Sequence, residues 1–369
     1  MYLQASRLSS WINPFYRKLA FRPKITTWPR HRSSRCAHAA EIGSAGALRV
    51  YFADVYAVEL PAGHRFPMAK YELVRRKLEA DSSFKGVPFL VSPLAELDDI
   101  LLVHSKDYVD RFIKGKLSDI EVRRIGFPWS TALVQRTLAS VGGTVACMRD
   151  VVEGRSRCAA QIAGGTHHAF PDHGEGFCVF NDIAIAARVA LRDYAQVRRI
   201  LVLDLDVHQG NGVAAIFQGD SRVFTCSFHG HGNYPFRKQK SDLDIEFEDN
   251  TDDTDYLQIL EVWLPRIMAK HDPDLVFYQA GVDALAEDKL GRLALTRAGL
   301  RLRNQIVLDY ILQESEAGIV ICMGGGYADP ITKSVDAHAD VYLDAHFALA
   351  RYRKANKRIS SIDSNISRL

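Results

Sequence analysis

The stretch Ile200-Leu-Val-Leu-Asp-Leu-Asp-Val-His-Gln-Gly-Asn-Gly212 points to both the fold class and the functional site. Its apolar start is typical of a strand that is buried on both faces of a parallel sheet. Its end places Asp204, Asp206 and His208 at every second position, and alternate residues of an extended chain share one face. Because unpaired buried carboxylates are very costly, the pattern predicts a divalent metal or catalytic site. The alternative is a hydrogen-bond network at a strand-to-helix turn.

Other apolar runs of strand length alternate with helical stretches along the chain. Predicted strands begin at Leu48, Cys158, Ile200, Val223, Leu275 and Ile319, and predicted helices span 69–80, 128–153, 182–194, 254–270 and 296–316. This alternation predicts an α/β fold with a single doubly wound, mostly parallel sheet and helices on both faces. We expect one catalytic domain over residues 47–350, a basic leader over residues 1–46 and a basic polar tail over residues 351–369.

The basic residues are unevenly distributed. Residues 1–40 contain eight Lys or Arg and no Asp or Glu, which leaves 39 basic and 44 acidic residues in the rest of the chain. A weakly acidic body argues against direct nucleic-acid binding. The Arg- and Ser-rich leader is typical of a transit peptide for a mitochondrion or chloroplast, and a disordered basic arm is the alternative.

No apolar run approaches the ~20 residues that span a bilayer. Six cysteines without CxxC spacing fit a reducing compartment.

Five polar or glycine-rich clusters follow predicted strands. They span residues 163–168, 204–212, 227–232, 281–283 and 324–327. Open parallel sheets bind ligands outside the carboxyl ends of their strands. We therefore expect these clusters, which are distant in sequence, to meet around one crevice.

The predicted metal site needs a third ligand, because a catalytic zinc ion typically has three protein ligands and one open position. Asp206 and His208 supply two, and Asp283 is the best-placed carboxylate for the third, although it could instead cap a following helix. Such an oxygen and nitrogen ligand set accepts Zn²⁺ and also Fe²⁺. Asp204 is expected to orient a histidine or, near Ser227, to hold a structural monovalent cation. Its alternative role is that of a plain buried hydrogen-bond acceptor.

Three further motifs carry side chains suited to catalysis. His167 and His168 follow two glycines, and next to a metal such a pair can exchange protons with water and with a leaving group. Tyr327 follows three glycines, and its phenol can donate a hydrogen bond to a developing oxyanion. Gly176 and Phe177 suit the wall of a narrow channel. The alternatives are structural hydrogen bonding for the histidines and core packing for Phe177.

Together these motifs resemble the zinc-dependent histone deacetylase family, which has the arginase/deacetylase fold. The segments GGTHHA, EGFCVFNDIA, DLDVHQGNG, AGVDAL and GGGY occur in the family's order and approximate spacing, and the likeness covers roughly residues 50–346. The resemblance implies that zinc is bound by Asp206, His208 and Asp283.

The resemblance also implies roles for the remaining site residues. His168 would be the general base, and His167 its partner, oriented by Asp204. Tyr327 would polarise the scissile carbonyl. The acyl-lysine tunnel would be lined by Gly176, Phe177 and Tyr234.

Three residues depart from the family's usual pattern. Gln209 stands where many members have a second histidine, and Met323 replaces a glycine. Asn211 stands where some members have an aspartate, and a neutral amide cannot raise the pKa of an imidazole as a carboxylate can. The form DLDVHQGNG looks most like class IV and bacterial-type members. It therefore leaves open a preference for acyl groups longer than acetyl.

The sequence thus leads to the hypothesis of a metal-dependent hydrolase that removes acetyl or longer acyl groups from lysine side chains of histones or other proteins. One alternative is a deacetylase of small acetylated amines or polyamines. Another is an inactive deacetylase-like scaffold, although none of the expected ligands or catalytic side chains is missing. The family resemblance favours the nucleus or cytoplasm, whereas the leader favours an organelle. No feature of the sequence indicates an oligomeric state.

Overall fold

A parallel β-sheet forms the centre of the structure, a computed structural model that describes residues 2–4 and 46–366. Within those residues the strands are β1 (Tyr2–Gln4), β2 (Arg49–Phe52), β3 (Phe89–Val91), β4 (Cys158–Ile162), β5 (Ile200–Asp204), β6 (Val223–Gly230), β7 (Leu243–Phe247), β8 (Leu275–Gln279) and β9 (Gly318–Cys322). All residues of β4, β5, β8 and β9 are buried, as expected for continuous apolar strands covered on both faces.

The order of the strands creates a crevice at the carboxyl ends of the central strands. The described strands lie in the order β1-β7-β6-β5-β8-β9-β4-β2-β3, and every pairing is parallel. The chain leaves β5 toward β6 and β7 and then returns to the other side of β5 as β8. Loops that follow β5 and β8 therefore diverge, and ligands bind at such a switch point in open α/β sheets.

Two groups of helices pack on this sheet. The described α-helices are α1 (Lys70–Ala80), α2 (Leu97–Ile100), α3 (Lys106–Ile113), α4 (Asp119–Ile125), α5 (Thr131–Val152), α6 (Asp182–Asp193), α7 (Asn211–Phe217), α8 (Asp253–His271), α9 (Arg297–Glu314) and α10 (Thr332–Ile366). Helices α5 and α6 pack together, with α5 on β4 and β9, while α9 and α10 pack together and contact the same two strands. The predicted doubly wound α/β sheet is confirmed. No helix among the described residues is both long enough and apolar enough to cross a membrane.

All six predicted strands and all five predicted helices are present, but the sequence did not predict β1, β3 and β7, nor the helices α2, α3, α4, α7 and α10. The run Leu243–Phe247 alternates apolar and acidic residues, yet all five of its residues are buried. Asp244 accepts hydrogen bonds from Gln209 Nε2 (2.8 Å) and Ser241 N (2.9 Å). Because the distant side chain of Gln209 is needed to satisfy this carboxylate, burial of both faces of the strand cannot be recognised from its own residues.

The chain's two ends differ in what the structure describes. Helix α10 continues through the expected tail, past residue 350 to Ile366. No Gly or Pro interrupts the sequence there, and Ala, Arg and Lys favour helix. The predicted leader lies outside the described residues, except for Tyr2–Gln4, which pairs with β7, and residue 46.

Candidate active site

The three predicted metal ligands meet at the crevice between β5 and β8. Asp206 and His208 lie in the loop after β5, and Asp283 lies in the loop after β8. The Nδ1 atom of His208 is 3.0 Å from Asp206 Oδ1 and 3.1 Å from Asp283 Oδ2. Their ligand atoms all lie within 4.8 Å of one another, and all three residues are buried.

Backbone groups hold the two carboxylates in place. Asp206 accepts hydrogen bonds from His208 N (3.0 Å) and Gly325 N (2.8 Å), and Asp283 accepts one from Val207 N (3.0 Å). No helix begins after Asp283, so the helix-cap alternative is wrong. Gly325 permits the close approach, because a Cβ atom there would lie 1.9 Å from Asp283 Oδ2.

The electrostatics of this group fit a divalent cation. Burial, and then the charge of Asp206, raise the pKa of Asp283 to about 7. Burial alone would lower the pKa of His208, but the two carboxylates outweigh it and raise the value to about 10. The buried group of Asp206, His208 and Asp283 is therefore stabilised by added positive charge. A bound divalent ion supplies that charge in place of extra protons.

The His167 side chain lies beside the predicted metal ligands, in the loop after β4. Its Nδ1 atom is 2.6 Å from Asp204 Oδ2, and its Nε2 atom is 4.0 Å from Asp206 Oδ1. Burial would lower the pKa of His167, but Asp204 and then Asp206 raise it to about 9. Asp204 thus lies where it orients a histidine, and His167 is suited to hold a proton.

His168 has a different environment from its neighbour. Its Nδ1 atom is 2.7 Å from Asn211 Oδ1, at the start of α7. Burial, followed by the charges of His167 and His208, lowers the pKa of His168 well below its usual value. A neutral imidazole is the form that can accept a proton. The two adjacent histidines are therefore set to opposite protonation states by their surroundings.

Tyr327 lies in the glycine-rich loop after β9. Its backbone N–H donates to Asp288 Oδ2 (2.6 Å), and its ring centroid is 4.9 Å from Lys70 Nζ. The fully buried Lys70 also donates to the carbonyl oxygens of Gly324 (3.3 Å) and Gly326 (3.4 Å). The sequence did not predict that Lys70 and Asp288 contact this loop. Nothing in the sequence signals that Lys70, a residue type that is rarely buried, is enclosed here.

An aromatic wall lies beside Tyr327. The ring of Phe177 is 5.2 Å from Phe66, 5.4 Å from Phe127 and 6.1 Å from Tyr327, measured between centroids. Phe177 has φ 65°, a left-handed conformation that is strained for a bulky residue, and it follows Gly176 with φ 57°. Such strain is common at functional sites, where the surrounding structure holds it in place.

Tyr234 packs directly on His168. Its ring meets that of His168 edge-on, with centroids 5.0 Å apart. Gly176 lies next to both, because a Cβ atom there would be 2.8 Å from His168 Cδ2 and 3.2 Å from Tyr234 Cε1. Two of the predicted channel residues, Gly176 and Tyr234, therefore border the predicted general base, and a side chain at position 176 would displace it.

Comparison with known proteins identifies the family. Residues 64–342 match the family described as the histone deacetylase domain. The chain belongs to this deacetylase family. A protein of Picosynechococcus sp. (strain ATCC 27264 / PCC 7002 / PR-6), named as uncharacterized, is 44% identical over 290 residues, which is 79% of this chain and 95% of that protein.

Relatives with functional names are more distant from this deacetylase-family chain. Histone deacetylase clr6 of Schizosaccharomyces pombe is 30% identical over 258 residues, which cover 64% of this chain and 62% of clr6. The acetoin utilization protein AcuC of Staphylococcus aureus (strain MSSA476) is 28% identical over 258 residues, which cover 64% of this chain and 66% of AcuC. The predicted family is confirmed, including its bacterial members.

Gln209, one of this deacetylase's departures from the family pattern, has a structural role. Its side chain donates to Gln239 O (2.7 Å) and accepts from Gln239 N (2.8 Å), and it also donates to Asp244 Oδ1 (2.8 Å). Gln209 therefore joins the loop that carries Asp206 and His208 to the segment that follows Tyr234.

The predicted monovalent cation site stays a prediction. Asp204 and Ser227 are neighbours in register on β5 and β6. The Asp204 carboxylate accepts from Asp206 N (3.1 Å) in addition to its contact with His167. Ser227 Oγ lies 3.0 Å from His229 Nδ1.

Proposed function

We propose that this protein is a zinc-dependent deacylase that hydrolyses acyl-lysine side chains of proteins. The observation that carries the proposal is the meeting of the Asp206, His208 and Asp283 group with His168 and Tyr327 at one crevice. The family match supports hydrolytic deacetylation as the class of reaction.

Each part of the site has a distinct task in the proposed reaction. A divalent ion bound by the three ligands supplies Lewis acidity to the substrate carbonyl and to water. His168 accepts a proton from the attacking water. The Tyr327 hydroxyl donates a hydrogen bond to the carbonyl oxygen as it gains charge. His167 holds a proton near the departing amine, and the products are a free amine and a carboxylate.

Zinc is the metal we propose, with ferrous iron as the alternative. Two carboxylates and one imidazole leave a position open for substrate and water, as in catalytic zinc sites. The same oxygen and nitrogen atoms also accept Fe²⁺. Metal analysis of protein purified under anaerobic conditions distinguishes the two ions.

The proposed substrate follows from the wall of the site. The rings of Phe66, Phe127 and Phe177 offer apolar surface to the aliphatic stem and acyl group of a modified lysine. A second candidate is the acyl amide of a small amine or polyamine, which would meet the same wall. The AcuC relative favours testing it, because that protein's name refers to acetoin utilization and not to histones.

One assay tests both candidates. The zinc-loaded full chain is incubated with peptides carrying acetyl-, butyryl- or octanoyl-lysine and, separately, with acetylated polyamines. Release of acyl groups from the peptides supports the proposal, and the most rapidly hydrolysed chain length defines its specificity. Hydrolysis of the polyamines alone would favour the second candidate. A protein that is inactive when loaded with zinc and also when loaded with ferrous iron would contradict both.

Replacing the proposed base gives a further prediction. His168→Ala should lower kcat at least ~10²-fold, because a positioned general base typically contributes that much or more. Zinc content should be unchanged, since His168 is not among the proposed ligands. Steady-state kinetics and metal analysis check both points. His346→Ala is the matched control, because His346 lies on α10 and packs against Phe84. Near-normal turnover of His168→Ala would contradict the assignment.

We also propose that residues 1–46 direct the protein to a mitochondrion or chloroplast. The support is compositional, since residues 1–40 contain eight basic residues and no acidic residue. A fluorescent protein fused after residue 46 should enter an organelle and lose the leader, and replacing the eight basic residues by glutamine should prevent import. Microscopy and immunoblotting check both results. An uncleaved fusion in the nucleus would contradict this proposal and leave the proposed reaction unaffected.

A further inference from the structure

Glu175 ends a chain of hydrogen bonds that begins at the proposed general base. The Nδ1 atom of His168 is 2.7 Å from Asn211 Oδ1, and Asn211 Nδ2 donates to Glu175 Oε1 over 2.7 Å. Glu175 belongs to the loop between β4 and α6, and its side chain is only 15% exposed. The sequence reading assigned no role to it.

The carboxylate determines which way the Asn211 amide faces. An ionised carboxylate only accepts hydrogen bonds, so Asn211 must present its NH₂ group to Glu175. Its carbonyl oxygen then faces His168, and an oxygen cannot donate. His168 must therefore carry a hydrogen on Nδ1, which leaves the lone pair of a neutral imidazole on Nε2.

We propose that Glu175 is a positioning residue, which fixes the Asn211 amide and thereby holds His168 in the tautomer that can accept a proton at Nε2. This inference rests on the proposed function of His168 as general base. Without Glu175 the amide can rotate and turn its NH₂ group toward His168. The imidazole hydrogen would then lie on Nε2, where it blocks proton acceptance.

Glu175 also places negative charge behind a neutral partner. Asn211 is neutral. The negative charge comes from the Glu175 carboxylate, which lies one hydrogen bond beyond the Asn211 amide as seen from His168. The carboxylate has two other neighbours. The first is His173, whose Nε2 atom lies 3.9 Å away. The second is Tyr234, whose pKa is raised by burial and then by the Glu175 carboxylate. Neither contact sets the orientation of the Asn211 amide.

The first test removes the carboxylate. Glu175→Ala in the zinc-loaded full chain should lower kcat ~10–100-fold, the usual effect of losing a partner that orients a functional side chain. KM and zinc content should stay near the wild-type values. Asp172→Asn is the control, because Asp172 lies in the same loop and contacts His173. A Glu175→Ala protein with wild-type kcat would overturn the proposal.

The second test exchanges donor and acceptor. Asn211→Asp alone places two carboxylates against each other, so it should also lower kcat. In the double variant Glu175→Gln/Asn211→Asp, the glutamine amide can donate to the new carboxylate, which again accepts from His168 Nδ1. The double variant should be at least several-fold more active than Asn211→Asp. Absence of this rescue would show that Glu175 supports only the loop, and would overturn the proposal.

A third measurement does not depend on turnover. In zinc-loaded protein labelled with ¹⁵N-histidine, the signal absent from His168→Ala identifies His168, and its nitrogen shifts report the tautomer. Wild type should carry the hydrogen on Nδ1, and Glu175→Ala should show a mixture of tautomers or the Nε2 form. An unchanged tautomer would overturn the inference. If wild-type protein showed this tautomer but hydrolysed no acyl amide, the proposed function would fail and the positioning role would stand.

Discussion

Asp283→Asn is expected to abolish hydrolysis and to remove most of the bound zinc. Asparagine keeps the size of the side chain and can still accept from Val207 N, which lies 3.0 Å from Asp283 Oδ1. It loses the charge of the oxygen that lies 3.1 Å from His208 Nδ1. Replacing a residue that only orients a ligand costs ~10–100-fold. We therefore expect the loss of a ligand itself to exceed ~10²-fold in kcat/KM.

Metal analysis and thermal unfolding with and without zinc check this prediction. Zinc that binds only the folded state raises the stability of wild type, and this increase should vanish in Asp283→Asn. Asp150→Asn is the matched control. Asp150 is also a buried aspartate, and it contacts Arg49 and Tyr51 in β2, away from the strand ends that carry the site. It should lower Tm without changing zinc content. Full zinc content and normal activity in Asp283→Asn would refute the ligand set.

The parts of the fold that could be predicted are those whose own residues carry the signal. Ile200–Asp204 is apolar until its last position because helices cover both faces of the sheet. By contrast, β7 contains Asp244 and Glu246, whose burial is possible only because other elements supply partners. Local sequence cannot reveal partners that only the folded chain brings together.

The same distinction applies to the site. The proximity of Asp206, His208 and Asp283 could be predicted because the carboxyl ends of parallel strands lie at the same side of the sheet. Lys70 could not, because it contacts carbonyl oxygens of a loop more than 250 residues further along the chain. Glu175 is the first residue of a recognisable motif, yet its proposed role depends on contact with Asn211, a residue in another motif.

The two departures near the predicted metal ligands show that a residue which differs from the family motif can still have partners in the fold. Asn211 lacks charge, but the partly buried carboxylate of Glu175 lies on its far side. Gln209 replaces a histidine and holds a neighbouring segment through three hydrogen bonds. In both cases the altered residue has partners elsewhere in the chain. The site is therefore better judged by its contacts than by its match to a pattern.

Tyr327→Phe should lower kcat ~10²–10³-fold, equivalent to about 2.7–4 kcal/mol, the usual effect of deleting one oxyanion donor. Burial, and then the charges of Asp283 and Asp206, raise the pKa of Tyr327 well above its usual value. The phenol therefore keeps its hydrogen at neutral pH and can donate it to the carbonyl oxygen. Phenylalanine retains the ring that packs near Phe66 and Phe177, so KM should change little.

Tyr342→Phe distinguishes a lost oxyanion donor from a lost buried hydroxyl. Tyr342 is buried on α10 and donates to Gln161 O (2.8 Å), so removing its hydroxyl leaves that carbonyl without this donor. This change should cost ~1–3 kcal/mol of stability and leave kcat unchanged. Tyr327→Phe should do the reverse, with a large loss of kcat and little change in Tm or zinc content. If Tyr327→Phe turned over substrate as fast as wild type, the glycine-rich loop after β9 would have only a structural role.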